Sequence, residues 1–347
     1  MKRTAILVLT VIIIVCMLAG CAARVKPEEA QEISLTDQLG NDVVISEKPE
    51  RIVSAYYIST SALIALGLED NIVGIEDGAE KRPVYTMAAP DMLDSAVRVG
   101  SPKEFDLEAC LSAKPDLVIL PKKAQDYAPS LKEVGVTVLM VNPEDHEKIL
   151  EMICLIAEAT GTQDRAEKIA EFYTSAMDDA DAAISGLSDG DKPSVYMTSP
   201  SGYLNAVPRD MYQADVIRSA GGKNCGDVLE GDSRTEISYE QLLSMNPELI
   251  IIPTNNFANG YPDYTKEDIL NDASLSEVTA VKNEDFYYMP AGLEAWDSPV
   301  PSGFLGTLWT LATLHPDLYS MDQVADKAYD FYREFYDIEI DKILITG

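Results

Sequence analysis

Short, continuous apolar runs alternate with longer stretches of helical periodicity along most of this chain. Residues 117–120 (LVIL) and 249–252 (LIII) are apolar at every position. Runs of this length without polar alternation are typical of strands buried on both faces of a parallel sheet. Ile149, Ile153 and Ile156 instead keep the spacing of one helix face. The alternation of the two patterns predicts an α/β fold whose parallel strands are joined by right-handed helical crossovers.

One segment of the chain occurs twice. Residues 105–121 read FDLEACLSAKPDLVILP and residues 237–253 read ISYEQLLSMNPELIIIP, and Glu108 matches Glu240 in an alignment without gaps. Each copy has a carboxylate, an apolar helical turn, a proline that ends the helix and a buried strand. The copies lie too far apart for neighbours in a solenoid, whose repeats run to about 50 residues. The duplication therefore predicts two similar α/β lobes.

The same patterns place the other elements and the domain boundaries. A hairpin is predicted over 33–46, with its turn at the Leu39-Gly-Asn-Asp42 sequence. The long helical stretch between Gly161 and Gly186 is rich in alanine and charge, which predicts one rigid connector. The predicted division is a lobe at 33–161, a connector helix at 162–188 and a lobe at 189–347. The further predicted strands are 51–55, 72–75, 137–141, 194–198 and 286–289, and the further predicted helices are 60–67, 107–113, 131–134, 144–161, 211–220, 239–245, 304–314 and 324–335.

The N-terminus has the pattern of an export signal. Lys2 and Arg3 precede an apolar run over 5–18, which has the length of a signal-peptide core and is short for a membrane span of about 20 residues. The sequence Leu18-Ala-Gly-Cys21 resembles the lipobox of bacterial lipoproteins. This resemblance implies a signal peptide at 1–20, lipid on Cys21, a tether at 21–32 and an extracytoplasmic protein anchored to the cell membrane. A plain secretory signal and a short uncleaved anchor remain alternatives.

Composition excludes several classes of function. The formal net charge is −31, from 58 acidic and 27 basic residues, whereas nucleic-acid binding needs a basic surface. His146 and His315 are the only histidines and no residues have metal-ligand spacing, so neither a free-metal site nor an intrinsic cofactor is predicted.

Cys110 and Cys154 lie among apolar residues, which predicts buried free thiols. No serine-hydrolase, P-loop, metalloprotease or dinucleotide motif occurs, so no catalytic residue is predicted.

In the order and spacing of its segments, the chain resembles the substrate-binding proteins of ABC importers for iron–siderophore complexes, haem and cobalamin. The matching segments are RIVSAYYISTSALIALGLEDNIVGI (51–75), VGSPKEFDLEACLSAKPDLVIL (99–120), IRSAGGKN (217–224), ISYEQLLSMNPELIII (237–252) and LGTLWTLATLHPDLY (305–319). The resemblance implies two Rossmann-like lobes with central, mostly parallel sheets, bridged by a single long α-helix, as in class III periplasmic binding proteins. Ser61 departs from the family pattern, in which many members have glutamate in the first helix.

The resemblance also implies a partner. In the family, a glutamate on each lobe docks arginines of the membrane permease, and the matching positions are Glu108 and Glu240. Guanidinium groups pair with carboxylates in bidentate geometry, which fixes orientation more than it adds affinity. The expected partners are a permease dimer and its cytoplasmic ATPase, with the binding protein itself a monomer. The alternative is that both residues are exposed helix glutamates without a role.

The ligand is expected between the lobes, beyond the carboxyl ends of the strands. The expected cargo is a metal chelate, namely a ferric siderophore, haem or corrinoid, and an axial tyrosine at 56 or 57 would suit haem. Trp296 is the strongest single candidate, with packing against the last helix as its alternative. A lipid-anchored hydrolase, and a sensor or adhesive lipoprotein on the same scaffold, are the rival functions. The candidate ligand contacts are Tyr56, Tyr57, Lys122, Lys123, Tyr203, Arg209, Asn255, Asn256 and Trp296.

Overall fold

The apolar runs at 117–120 and 249–252 form interior strands of two separate parallel sheets. The structure is a computed structural model that describes residues 32–254 and 264–340. The strands are β1 (Ile33–Thr36), β2 (Asp42–Ile45), β3 (Ile52–Ser54), β4 (Ile72–Ile75), β5 (Val97–Arg98), β6 (Leu117–Pro121), β7 (Thr137–Val141), β8 (Ser194–Met197), β9 (Asn205–Ala206), β10 (Lys223–Asn224), β11 (Thr235–Glu236), β12 (Leu249–Pro253) and β13 (Phe286–Met289).

Helices connect these strands, and the structure adds four short helices to those that the sequence pattern predicts, at Pro83–Ala88, Pro90–Ser95, Lys266–Leu270 and Thr279–Asn283. The helices of the first half are α1 (Tyr57–Ala65), α2 (Pro83–Ala88), α3 (Pro90–Ser95), α4 (Leu107–Ser112), α5 (Ala128–Glu133) and α6 (His146–Thr160). They are followed by α7 (Gln163–Ile184), α8 (Tyr212–Ser219), α9 (Tyr239–Met245), α10 (Lys266–Leu270), α11 (Thr279–Asn283), α12 (Phe304–Leu314) and α13 (Met321–Tyr336). No helix of the described residues is both long enough and apolar enough to cross a membrane.

Each lobe is centred on one sheet. The first sheet has the order β5-β4-β3-β6-β7 and the second the order β10-β8-β12-β13, and every pairing in both is parallel. The hairpin β1–β2 is antiparallel, as predicted, with Ile33 opposite Ile45. The predicted fold class, two α/β lobes with parallel sheets bridged by one long helix, is therefore confirmed.

Both faces of the two sheets are buried, which explains their continuous apolar sequences. On β6, Leu117 and Ile119 join a core shared by both lobes, whereas Val118 and Leu120 join a smaller cluster confined to the first lobe. The strand β12 repeats this arrangement, with Ile251 facing the shared core. Because successive side chains of a strand point to opposite faces, a strand between two apolar layers needs an apolar residue at every position.

The duplicated segment has the same structure in both lobes. Helix α4 and strand β6 in the first lobe correspond to α9 and β12 in the second. The equivalent residues Lys114 (φ 50°) and Asn246 (φ 41°) both follow the helix in the left-handed conformation. This conformation reverses the chain after a helix, and asparagine tolerates it better than lysine.

In each copy of the duplicated segment, the carboxylate that follows the proline accepts a hydrogen bond from the backbone at the start of the neighbouring strand. The sequence pattern does not reveal this role. Asp116 Oδ2 accepts the backbone N–H of Glu50 at 2.9 Å, just before β3. At the equivalent position, Glu248 Oε2 accepts the backbone N–H of Ser194 at 2.7 Å, at the start of β8. The two copies therefore share this hydrogen bond between neighbouring central strands, in addition to the helix and the strand.

The connector helix α7 is packed along both lobes. The Arg165 guanidinium donates to the backbone carbonyl of Ala65 on α1 and, at 2.9 Å, to that of Phe335 on α13. Phe172 lies 5.7 Å from Phe304 of α12 and 5.4 Å from Phe331 of α13, measured between ring centroids. The core that contains these rings extends from the first lobe to the second, so the helix is part of one continuous apolar interior.

The three cysteines in the described part of the chain are free, but one prediction about them is wrong. Cys110 is buried, as predicted, and burial raises the pKa of its thiol to about 12. Cys154 is exposed, because Ile153 and Ile156 direct the apolar face of α6 inward and leave Cys154 on the outer side. Cys225 is partly buried.

Candidate functional site

A cavity of about 340 Å³ opens where the carboxyl ends of the first sheet face the second lobe. We call it the inter-lobe cavity. Parallel strands end at the same edge of a sheet, so residues that follow β3, β6 and β7 meet there. The first lobe contributes Tyr56, Pro121, Lys122, Lys123, Gln125, Val141, Asn142, Pro143 and Glu144, and the second contributes Asp232 and Ser233. Of the nine predicted ligand contacts, the structure brings Tyr56, Lys122 and Lys123 together in this lining.

An ion pair crosses the inter-lobe cavity. Lys122 Nζ of the first lobe lies 3.4 Å from Asp232 Oδ2 of the second. Both side chains are exposed, so the pair adds little to stability, and salt screens it. It nevertheless places a positive and a negative charge at the mouth of the cavity.

A partly buried tyrosine, Tyr56, and a partly buried carboxyl group, Glu144, line the same cavity. Burial raises the pKa of Tyr56, and nearby Tyr57 and Glu144 act in the same direction. The Tyr56 phenol of the ligand-free protein therefore stays protonated and can donate a hydrogen bond. Burial also raises the pKa of Glu144, against the opposing attraction of Lys123.

Tyr57 is engaged in a contact between the lobes. Its hydroxyl donates to Ser298 Oγ at 3.0 Å, and the Arg82 guanidinium lies 4.1 Å from the centre of its ring. Tyr57 therefore does not line the inter-lobe cavity beside Tyr56, although the two rings are in edge-to-face contact.

The other predicted contacts lie outside the lining of this cavity. Trp296 is buried and its indole N–H donates to Tyr332 on the last helix at 3.1 Å, which is the packing alternative considered from the sequence. Tyr203 donates to Asp272 Oδ2 at 2.9 Å, and Arg209 pairs with Glu230 at 3.5 Å. Loop residues such as these find partners that no local sequence pattern indicates. Asn255, Asn256 and Cys21 lie outside the described residues.

A buried carboxylate that sequence reasoning missed joins the two lobes. Glu294 accepts hydrogen bonds from Ser61 of α1 and, at 2.6 Å, from Ser302 in its own lobe. Burial raises the pKa of Glu294, and these donors only partly oppose the effect. Ser61, the position at which the chain departs from the family pattern, thus takes part in a buried contact between the lobes.

Two partly buried arginines near the carboxyl ends of the strands are each paired with a buried carboxylate. Arg82 Nε lies 3.4 Å from Glu76 Oε1, with side chains 14% and 6% exposed. Arg234 Nη2 lies 3.5 Å from Asp297 Oδ2, with side chains 17% and 11% exposed. Ion pairs this buried are costly to break, because either partner alone would be a desolvated charge.

Glu108 and Glu240 occupy equivalent places on the two lobes. Both are exposed and lie in the first turn of their helices, α4 and α9. In a β-α-β unit the helix runs antiparallel to the strands, so its first turn lies at the sheet edge where the strands end. Each glutamate thus lies toward the carboxyl ends of the strands of its own sheet, which is the side on which the cleft opens.

Neither histidine offers an open metal ligand. His146 Nε2 lies 3.1 Å from Thr307 Oγ1, its Nδ1 contacts the Tyr173 hydroxyl, and His315 Nε2 lies 3.1 Å from the Gly221 carbonyl. Within 32–254 and 264–340, no group of three or more histidine, cysteine, aspartate or glutamate side chains could hold a metal ion.

Comparison with known protein families decides the class of this chain. A family model described as periplasmic binding protein matches residues 52–293, which is more than half of the chain. The chain belongs to the periplasmic binding protein family. Members of this family bind solutes for ABC importers and are not enzymes, and the family resemblance predicted from the sequence is confirmed.

Relatives of this periplasmic binding protein are named for different solutes. The molybdate-binding protein MolA of Haemophilus influenzae is 23% identical over 94% of this chain and 95% of its own length. Its structure with molybdate superimposes with a TM-score of 0.78 at 21% identity, over 89% of this chain and 99% of that one. The petrobactin-binding protein YclQ of Bacillus subtilis is 25% identical, over 83% and 91%. A cobalamin-binding protein of Halobacterium salinarum is 26% identical, over 62% and 57%.

Proposed function

We propose that this periplasmic binding protein captures a metal chelate in the inter-lobe cavity and delivers it to the permease of an ABC importer. The candidate chelates are a ferric siderophore, haem and a corrinoid. The observation that carries the proposal is a cavity lined by both lobes, with an aromatic donor, two lysines and apolar walls. Lining of this mixed kind suits an organic ligand with polar groups at its rim. Relatives that bind petrobactin and cobalamin support the same class of cargo.

We further propose that Glu108 and Glu240 dock the permease. Two carboxylates at equivalent positions of a rigid body can bind two arginine side chains of a symmetric partner. Their exposure and their position in the first helical turn support this role. The partner would be a permease dimer with its cytoplasmic ATPase, and one monomeric binding protein would span both of its halves.

The proposal includes a location and a domain division. Lipid on Cys21 would hold the protein at the outer face of the cell membrane, with 21–32 as a tether. Residues 33–161 and 189–347 would form the two lobes and 162–188 the connector. Mass spectrometry of the membrane fraction tests the anchor: a mature chain that begins at Cys21 and carries diacylglycerol is expected, and an unmodified Cys21 would contradict it.

A thermal-shift screen tests the proposed cargo. The probes are ferric hydroxamate and catecholate siderophores, haem, cyanocobalamin and, because of the MolA relative, sodium molybdate. A ligand at 100 times its dissociation constant adds about 2.7 kcal/mol to the free energy of unfolding, which is a clear shift. At least one chelate is expected to raise the melting temperature, and a shift with molybdate alone would contradict the proposal.

A matched pair of variants assigns any shift to the cavity. Ser233→Trp fills the cavity from the second lobe, whereas Ser274→Trp makes the same change at an exposed site outside the lining. The shift should disappear in Ser233→Trp and persist in Ser274→Trp. Loss of the shift in both variants, or in neither, would count against binding at this cavity.

A further inference from the structure

We propose that the inter-lobe cavity selects a metal chelate whose net charge is close to zero. This inference rests on the proposed function and narrows its cargo by charge. Among the residues that the structure describes, the charged side chains of the lining are Lys122, Lys123, Glu144 and Asp232, so positive and negative charges balance. A balanced lining offers no net attraction to a multiply charged ligand.

The geometry of the lining strengthens this argument. Lys122, the cation nearest to the second lobe, is already paired with Asp232 at 3.4 Å. Lys123 shares the lining with the partly buried carboxyl group of Glu144. An anionic ligand that reached either lysine would therefore bring its own charge close to a carboxylate. That repulsion would offset much of the attraction to the lysine.

Arginines at the adjoining strand ends do not alter the balance. Arg82 and Arg234 are held by the buried carboxylates of Glu76 and Asp297 at 3.4 Å and 3.5 Å. A ligand anion that drew either guanidinium away from its partner would leave a buried carboxylate unpaired, which is costly. The buried charge near the cleft is thus compensated within the protein before any ligand arrives.

The uncharged part of the lining fits a neutral chelate well. The Tyr56 hydroxyl, the Asn142 amide and the Ser233 hydroxyl can donate hydrogen bonds to ligand oxygens without adding charge. Val141 and Pro143 provide apolar wall, which suits the organic shell of a chelate more than a small hydrated oxyanion.

Titration calorimetry with probes that differ in charge tests this inference. The probes are a charge-neutral ferric tris-hydroxamate and a trianionic ferric tris-catecholate, which share metal and coordination number, together with molybdate, a dianion. The neutral chelate is expected to bind at least about tenfold more tightly than either anion. Equal or tighter binding of the catecholate would overturn the inference and leave the proposed function standing. Failure of every chelate to bind would overturn both.

A charge-altered variant tests the cause. Asp232→Asn combined with Glu144→Gln leaves two uncompensated lysines in the lining, so the trianionic chelate should gain about tenfold or more in affinity, with a gain that shrinks in high salt. Glu47→Gln combined with Glu158→Gln makes the same change of charge at exposed positions outside the lining. An equal gain in this control, or no gain in the cavity variant, would contradict the role of the balanced charges.

Discussion

At the scale of single residues, the contacts that join the lobes involve partners far apart in sequence. Ser61 lies on the first helix, and its hydroxyl donates to Glu294, which follows the last strand of the second sheet. Tyr57 reaches Ser298 in the same way. Because these hydrogen bonds lie in the buried interface, they fix the orientation of the lobes more than contacts at the surface could.

The buried carboxyl group of Glu294 predicts a distinctive dependence of stability on pH. Burial raises the pKa of Glu294 in the folded protein, so the folded state binds its proton more tightly than the unfolded state does. The free energy of unfolding contributed by this group therefore falls as pH rises from the unfolded value of about 4.3 through the higher folded value. In Glu294→Gln this dependence should be absent.

Urea unfolding between pH 4.5 and 7.5 measures the effect of Glu294. The stability of the wild type minus that of Glu294→Gln should decrease steadily as pH rises, and Glu158→Gln on the exposed face of α6 serves as the control. A difference that stays constant over this range, or one that grows, would show that burial does not raise the pKa of this carboxyl group.

At the scale of elements, the end of the duplicated helix predicts opposite effects of one substitution in the two lobes. Lys114 is exposed and adopts φ 50°, which costs a lysine about 1–2 kcal/mol. Lys114→Gly should therefore stabilise the protein by about 1 kcal/mol, after allowing for the greater freedom of glycine in the unfolded chain. Asn246→Gly should destabilise it, because Asn246 Oδ1 accepts the backbone N–H of Thr279 at 2.8 Å.

Thermal unfolding of the two glycine variants distinguishes these effects. The melting temperature should rise in Lys114→Gly and fall in Asn246→Gly. Equal changes in the two variants would mean that the side chain of Asn246 adds nothing beyond the backbone conformation that the two copies share.

The elements that the sequence predicted well are those with strong periodicity. The strands at Ile72–Ile75, Thr137–Val141 and Phe286–Met289 were predicted with these bounds, and α1 begins only three residues before its predicted start. Helices α2 and α3 were missed, although prolines at their first positions are a signal that could have indicated them. Two-residue strands such as β9 are too short to show a period.

The candidate site was predictable only in part, for the same physical reason. Lys122 and Lys123 follow a predictable strand, so the rule that ligands bind at strand ends found them. Asp232 and Glu294 lie in irregular loops, and their roles depend on which residue of the other lobe they meet. Such pairings are set by tertiary packing, which a local pattern does not encode.

At the scale of the whole molecule, the shared core predicts that ligand binding moves the lobes only slightly. The apolar core is continuous between the lobes, and Arg165 of the connector helix donates to backbone carbonyls of both. A large hinge motion would expose part of this core to water, at a high cost. Small-angle scattering should show a change of less than about 1 Å in the radius of gyration on ligand binding. A larger compaction would contradict a rigid connector.

The docking proposal predicts a separation of uptake from binding. In cells, Glu108→Ala combined with Glu240→Ala should abolish uptake of the ligand, because the permease arginines lose both carboxylate partners. The purified variant should bind the ligand as tightly as the wild type, since neither residue lines the inter-lobe cavity. Glu133→Ala combined with Glu47→Ala, two exposed glutamates on other elements, is the control. Normal uptake by the docking variant would contradict the proposal.

The central claim is that a chelated metal lies between the lobes, and anomalous X-ray scattering tests it most directly. Crystals would be grown with the chelate that gives the largest thermal shift, and data would be collected at the absorption edge of its metal. The account predicts one strong peak inside the inter-lobe cavity, bounded by Tyr56 and Lys122 on one side and by Ser233 on the other. A chelate bound in the crystal with its metal peak outside this cavity would contradict the account.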